Sequence, residues 1–379
     1  MKVYLVGGAV RDKLLGLAVK ERDWVVVGAT TEEMIAAGYI PVDAAFPVFL
    51  HPETGEEYAL ARTETKVGAG YKGFEVDAGP QVTLEQDLQR RDLTINAMAE
   101  EPETGRIIDP FGGREDLDDG LLRHITPAFV EDPVRLLRIA RFAAQLGRWG
   151  FRVAHGTFGL LKRMAASDDL LTLRPERIWR EMRKSLEADQ PWRFFDTLYR
   201  CGALSRLIPE FDLPEPGGHR GRQLEAPFLA LQRAAEAGDD LPVRFAVVML
   251  AAARRADDVR DFCHRLRAEH ACCDLLTLLA AVEGPLRDGA VLDASALLEL
   301  LERTHAFQHP ARFQALLNAA AALWPDSAAE VRDRLVRARQ VASAIDGSVL
   351  VAEGLCGPEV GRILHERREA VIREVLGDA

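Results

Sequence analysis

The chain has 379 residues, 48% of them hydrophobic, enough to bury a large core and to form two or three domains. Its net charge of −11 argues against tight, indiscriminate binding of polynucleotides, so a nucleic-acid partner has to be engaged through local clusters of Lys and Arg. No stretch resembles a membrane span, and the five cysteines (Cys201, Cys263, Cys272, Cys273, Cys356) are an odd, scattered set suited to reduced thiols.

In chain order, Val3 to Val6 is a short apolar run that stops at Gly7 and Gly8, as a buried strand does where the backbone turns tightly or lets a ligand approach. The strand starts so early that no room is left for a signal peptide, and a cytoplasmic protein is expected. From Ala9 to Leu17 the spacing of Val10, Leu14 and Leu15 predicts a helix, with Arg11 and Asp12 on its first turn, where N–H groups and the helix dipole favour anions. A strand-turn-helix unit without a ligand is the commoner reading of the two glycines taken alone. Glu21 and Asp23 precede a second strand, Trp24 to Val27, and residues two apart in extended chain project from one face. Two converging carboxylates repel unless a cation lies between them, and magnesium held by one or two carboxylates plus substrate phosphates is the usual arrangement. A solvated turn before a strand is the simpler reading of such a triplet taken alone. Glu57, on a strand running to Arg62, is a third acid; a surface position on an edge strand is the plainer reading for it.

The run from Val67 to Gly73 is rich in glycine and has no apolar period, which predicts a mobile loop. Asp109 to Gly113 is a turn by composition. From Asp132 to Ala144, a helical wheel gathers Leu136, Leu137, Ala140, Ala143 and Ala144 on one side and Arg135, Arg138 and Arg141 on the other. Beyond residue 141 helix follows helix, interrupted by Leu213 to Gly218, whose two prolines and two glycines suit a linker. Arg174, Arg177, Arg180, Arg183 and Lys184, and the run Arg332 to Arg339, are candidate nucleic-acid surfaces, or helix faces balanced by nearby acids. Cys263, His264, His270, Cys272 and Cys273 have no familiar tetrahedral spacing.

Four motifs in order, GGAVRD, ERDW, RRDLTINAM at 90–98 and EDPVRLLRIARF at 131–142, resemble those of class II tRNA nucleotidyltransferases, the CCA-adding enzymes, and most those of the gammaproteobacterial branch. The resemblance implies an α+β fold: a polymerase β-like nucleotidyltransferase head at 1–140, a helical neck at 141–212, and a helical body and tail at 220–379. It implies addition of CCA to the 3′ end of tRNA from CTP and ATP without a nucleic-acid template, with pyrophosphate released and two Mg2+ ions held by Glu21 and Asp23. Gly8, Arg11 and Arg91 would then contact the triphosphate. Asp132 and Arg135 would read the Watson–Crick edge of the incoming base, with Arg138 and Arg141 holding the nucleotide. The family's acid pair is normally Asp-x-Asp, and Glu21 departs from it by one methylene, which shifts the carboxylate by roughly an ångström. By the same resemblance 67–73 is the loop that helps switch from C to A addition, and 109–113 the hinge between head and neck. Many relatives carry a His-Asp phosphohydrolase pair downstream; here Leu250 and Ala251 stand in its place, after Val243 to Ala246, and apolar side chains cannot ligate a cation. The remaining histidines (His219, His264, His270, His305, His309, His365) do not restore a ligand spacing. Bacterial poly(A) polymerase shares the head, but its basic element is replaced here by Asp43 to Phe46. A noncatalytic RNA-binding protein with a decayed head is a further alternative.

Overall fold

A computed structural model describes residues 1–42, 47–68, 74–211, 225–288, 292–352 and 357–376, in two units, 1–207 and 208–379. In the first unit β1 (Lys2–Val6) leads through Gly7 into α1 (Gly8–Leu14), shorter than the expected helix because Leu15 caps it and Gly16 turns with φ +68°. β2 (Asp23–Val27) and α2 (Thr31–Ala36) follow, then β3 (Ile40–Pro41), β4 (Val48–Leu50) and β5 (Glu57–Leu60). β6 (Arg62–Lys66) and β7 (Phe74–Ala78) form a separate antiparallel ribbon, after which come α3 (Leu84–Gln89), β8 (Ala99–Glu100) and β9 (Ile107–Ile108).

The main sheet is mixed, in the order β3-β4-β5-β2-β1-β8-β9, with only β2 and β5 parallel. Side chains alternate across it. Tyr4, Val6 and Val25 pack on one face with Leu88 and Ala97, while Val26, Phe49 and Leu60 pack on the other with Met34. That alternation settles Asp23: two residues before Val25, it stands on the Val25 face, at the strand's open end. β5 lies between β4 and β2, not at an edge. Glu57 is exposed, but at the start of an interior strand, in register beside Asp23.

The first unit continues through α4 (Gly113–Asp118), whose first N–H groups, on Gly113 and Arg114, donate to Asp109 at 2.8 and 2.9 Å, and β10 (Leu121–Leu122). A 3-10 turn over 127–131 then delivers the chain to α5 (Val134–Leu146). β11 (Arg152–Val153), α6 (His155–Ala166), α7 (Pro175–Leu186), α8 (Trp192–Cys201) and α9 (Leu204–Leu207) complete the unit, with α5 packed against α7 and α8. α5 is buried over most of its circumference, Ile139 and Phe142 included, so its arginine side is not a solvated face as a simple amphipathic helix would have it.

The described residues of the second unit are helical: α10 (Ala226–Glu236), α11 (Leu241–Ala253), α12 (Val259–Leu266), α13 (His270–Arg287), α14 (Ala294–Arg303), α15 (Pro310–Leu323), α16 (Pro325–Ser343), α17 (Gly347–Ala352) and α18 (Pro358–Leu376). α11 packs against α10, α13 and α15, and α14, α16 and α18 form a second layer. Leu250 lies in the α11 core, 1% exposed. Arg334, Arg337 and Arg339 donate to the carbonyls of Leu292, Val375 and Ala306, which accounts for three arginines of that run by helix packing. Among the described residues no helix is long and apolar enough to cross a membrane, and no group of three His, Cys, Asp or Glu side chains is placed to hold a metal. The segments 43–46, 69–73 and 213–218, and with them His219 and Cys356, lie outside the described residues.

Candidate nucleotide and metal site

β1 must end where it does because Gly7 turns at φ +72°, a conformation that disfavours a side chain. A Cβ there would also come within 2.9 Å of Arg91 Nη1. The guanidinium of Arg91 therefore rests on the glycine turn, and the Gly7 N–H donates to the Met98 carbonyl at 3.2 Å, tying the turn to the 90–98 segment. Across β1, Asp23 pairs with Val6, the last residue before this turn. The carboxylate pair and the glycine turn thus share one end of the sheet.

A cavity of about 510 Å3 opens at that end. Every residue expected at the site lines it: Gly8, Arg11, Glu21, Asp23, Arg91, Asp132, Arg135, Arg138 and Arg141. Glu21 does so from the loop before β2 rather than from the strand itself, and Glu57 joins from β5. Burial raises the Asp23 carboxyl; Arg91 opposes this, and the Glu21 charge adds to the rise. An acid whose charged form is disfavoured in this way suits an added cation.

The cations around them are held by a buried polar network. Arg11 donates to Asp12 at 2.8 and 2.7 Å and to Asn96 Oδ1 at 2.8 Å. Asn96 Nδ2 donates to Asp92 Oδ1 at 3.0 Å, and Asp92 Oδ2 accepts from Arg138 Nε at 2.7 Å, with Arg138 Nη2 at 2.6 Å. Burial works to raise the Asp92 carboxyl, but Arg138 and the hydrogen bonds from Asn96, Arg138 and the Leu93 N–H outweigh it, and the group is held well below the usual carboxylate range. Asp87, fully buried, is likewise pushed up by burial and brought below its ordinary value by Arg91 and Arg90, which reach it at 3.1 and 2.7 Å. Arg141 is paired with Glu181 of α7 at 2.5 Å. Arg11, Arg138 and Arg141 also surround the Phe142 ring, at 5.3, 5.6 and 4.2 Å from its centroid. After these pairings Arg91 Nε remains buried with no hydrogen-bond partner, an orphaned donor in a cavity of positive charge.

Asp132 and Arg135 stand at the mouth of α5. Asp132 precedes the helix instead of belonging to it: its Oδ1 accepts from the Val134 N–H at 3.1 Å, and Oδ2 lies 3.7 Å from Arg177. Arg135 donates to the Arg90 carbonyl at 2.7 Å. Of the α7 basic residues, Lys184 lines the cavity and Arg183 is paired with Glu187. Asp87, Asp92, Asn96, Phe142 and Glu181 are absent from the sequence-derived set. Asp92 and Asn96 were within reach of it, since both lie in the 90–98 segment four residues apart.

Two family models match the chain: the poly A polymerase head domain over residues 3–123, and the probable RNA and SrmB-binding site of polymerase A over 150–213. The multifunctional CCA protein of Alkalilimnicola ehrlichii is 47% identical over 99% of this chain and 96% of its own length. The CCA-adding enzyme of Pseudomonas putida is 46% identical over 97% of each. Among solved structures, a CCA-adding enzyme in complex with ATP shares the fold with a TM-score of 0.72, at 22% identity over 98% of this chain and 85% of that one. Motifs, fold and near full-length similarity agree, and the chain belongs to the class II CCA-adding enzymes.

Proposed function

We propose that this protein adds CCA to the 3′ end of tRNA from CTP and ATP, without a nucleic-acid template, and releases pyrophosphate. The observation that carries the reading is one cavity in which the acids Glu21 and Asp23 meet seven arginines and the glycine turn. In this reading the Gly8 backbone, Arg11 and Arg91 hold the triphosphate. Asp132 accepts from the exocyclic amino group that C and A both carry, and Arg135 donates to their ring acceptors, so that side chains choose the base. Arg138 and Arg141, fixed by Asp92 and Glu181, hold the nucleotide in one orientation, which converts an encounter into an aligned in-line attack by the tRNA 3′-hydroxyl on the α-phosphate.

Dependence on a divalent metal follows from the nucleotidyltransferase family, and magnesium is the ion we propose. The donor set fits it: Glu21 and Asp23 offer hard oxygens in one cavity, which Glu57 also lines, and substrate phosphates would supply further ligands. When bound there, magnesium supplies positive charge to the triphosphate and to the attacking hydroxyl. We further assign 1–140 to the nucleotidyltransferase head, 141–212 to the neck, and 220–379 to a body and tail that lacks hydrolase chemistry because Leu250 and Ala251 occupy a helix where ligands would be needed. The protein would act in the cytoplasm.

The head-domain match also raises poly(A) synthesis. One assay separates the readings: magnesium, labelled CTP or ATP, and tRNA ending before CCA, before the final A, or complete. The proposal expects two C and one A on the first, one A on the second, and nothing on the third. Long A tails on many RNAs would establish poly(A) synthesis instead, and no incorporation would establish a decayed head.

A further inference from the structure

A second cavity, of about 770 Å3, meets the first at Gly8, Arg11, Glu21, Asp23, Arg141 and Lys184 and extends along the C-terminal ends of α5 and α7. Asp132 and Arg135 line the first and not the second; Lys20, Arg148 and Trp149 line the second and not the first. Nucleotidyl transfer requires two substrates at one pair of acids, and a cavity of the first one's size and lining serves a nucleoside triphosphate. The second has room for the strand that is extended.

Its wall carries what unpaired nucleic acid needs, an aromatic surface and unneutralised cations. Trp149 is 38% exposed, and the turn that carries it packs closely at Gly147. A Cβ on Gly147 would come within 2.5 Å of both Arg193 and Gln190, and the single 3-10 turn from Gly147 to Trp149 closes at Gly150 with φ +84°. The Arg148 guanidinium lies 4.5 Å from the Trp149 ring centroid and is pinned by Asp189 at 2.9 Å. The two acids at this end of α7 are already matched, Asp189 by Arg148 and Glu187 by Arg183 at 3.0 Å, whereas Lys20 and Lys184 have no carboxylate partner among the described residues.

We infer that this cavity seats the 3′-terminal nucleotide of the acceptor RNA, with Trp149 as its stacking platform and Lys20 and Lys184 for its backbone phosphates. The inference rests on the nucleotidyl-transfer reading. Stacking is indifferent to base identity because every base has a π face, and that indifference is needed for an end that changes with each addition.

The test is the steady-state kinetics of CTP addition to tRNA lacking CCA, by the full chain and its variants. Trp149→Ala should raise the KM for tRNA roughly 5- to 150-fold, from the usual worth of one base–aromatic stack. The KM for CTP should stay within about twofold, and Trp149→Phe should recover most of the loss because a π face is restored. An unchanged tRNA KM, or an equal rise for CTP, overturns the inference. Lys20→Ala should flatten the dependence of log KM for tRNA on log salt by about 0.7; an unaltered slope removes Lys20 from the site. Tryptophan fluorescence, titrated with a short single-stranded oligoribonucleotide and compared with Trp149→Phe, decides the cavity without turnover: quenching that persists in the variant refutes it. Failure of the unaltered protein to incorporate CTP refutes the parent reading, and the fluorescence result then stands separately.

Discussion

Replacing Asp92 with Asn changes almost no volume and removes the one charge that holds Arg138 in place. Asp92 is 6% exposed and meets Arg138 at 2.7 and 2.6 Å, while its other oxygen accepts from the Leu93 N–H at 2.8 Å and from Asn96 at 3.0 Å. Breaking a buried ion pair from one side costs about 3–5 kcal/mol. The Arg138 side chain is 37% exposed, so water relieves part of that, leaving about 2–3 kcal/mol. For a unit of this size the transition should fall by about 4–12 °C. Its pH dependence carries a sign. The folded carboxyl lies below its ordinary value, so its stabilisation is fully present above the unfolded pKa of about 3.9 and is lost as the pH falls from there toward the folded value. Calorimetry of both proteins between pH 7 and pH 3 should show a lower melting temperature for Asp92→Asn at pH 7 and a shallower acid decline. In Arg138→Ala the further Asp92→Asn change should cost far less than it does alone. Equal melting temperatures at pH 7, or an equally steep acid loss in the variant, would refute the argument.

Asp23→Ala should abolish nucleotide incorporation, by more than the roughly 10²–10³-fold that loss of one electrostatic donor produces, while the circular dichroism spectrum stays unchanged; an active variant refutes the metal assignment. Glu21→Asp should support turnover at or above the original rate, because the shorter carboxylate restores the family's usual pair, and a loss of activity would show that Glu21 is adapted to its own surroundings. Gly7→Ala should cost about 1–3 kcal/mol of backbone strain and weaken CTP and ATP together, since a Cβ meets the Arg91 guanidinium at 2.9 Å; thermal melts and nucleotide titrations that match the original protein would contradict this. Phe142→Leu withdraws the ring shared by Arg11, Arg138 and Arg141, and a nucleotide KM raised about fivefold or more is expected from about 1–2 kcal/mol of cation–π attraction; an unchanged KM would mean that ion pairs alone hold the arginines.

The parts of the site that were legible early are those written in short-range order. The strand ending in two glycines, the acids before Trp24 and the arginines three apart from Arg135 to Arg141 each follow from the period of a single element, and all of them line one cavity. The features that were not legible depend on what lies beside an element. Glu57 is exposed as its surface reading expects, but its strand is not an edge, because β5 lies between β4 and β2. Arg334, Arg337 and Arg339 each donate to a carbonyl of a neighbouring segment, contacts that no helical period announces.

By itself, then, the order of residues determined the kind of chemistry: a phosphate turn, a pair of acids and a cationic helix, each set by local periodicity and backbone sterics. Only the tertiary structure decided which groups keep those pieces at working distance. Asn96 reaches Arg11 across 85 positions and Asp92 reaches Arg138 across 46, contacts that exist because the sheet end, the 90–98 segment and α5 converge. The physical reason is that periodicity tells which way a side chain points along its own element. The partner that neutralises a buried arginine is chosen by whatever the fold brings opposite it, and a linear pattern carries no record of that choice.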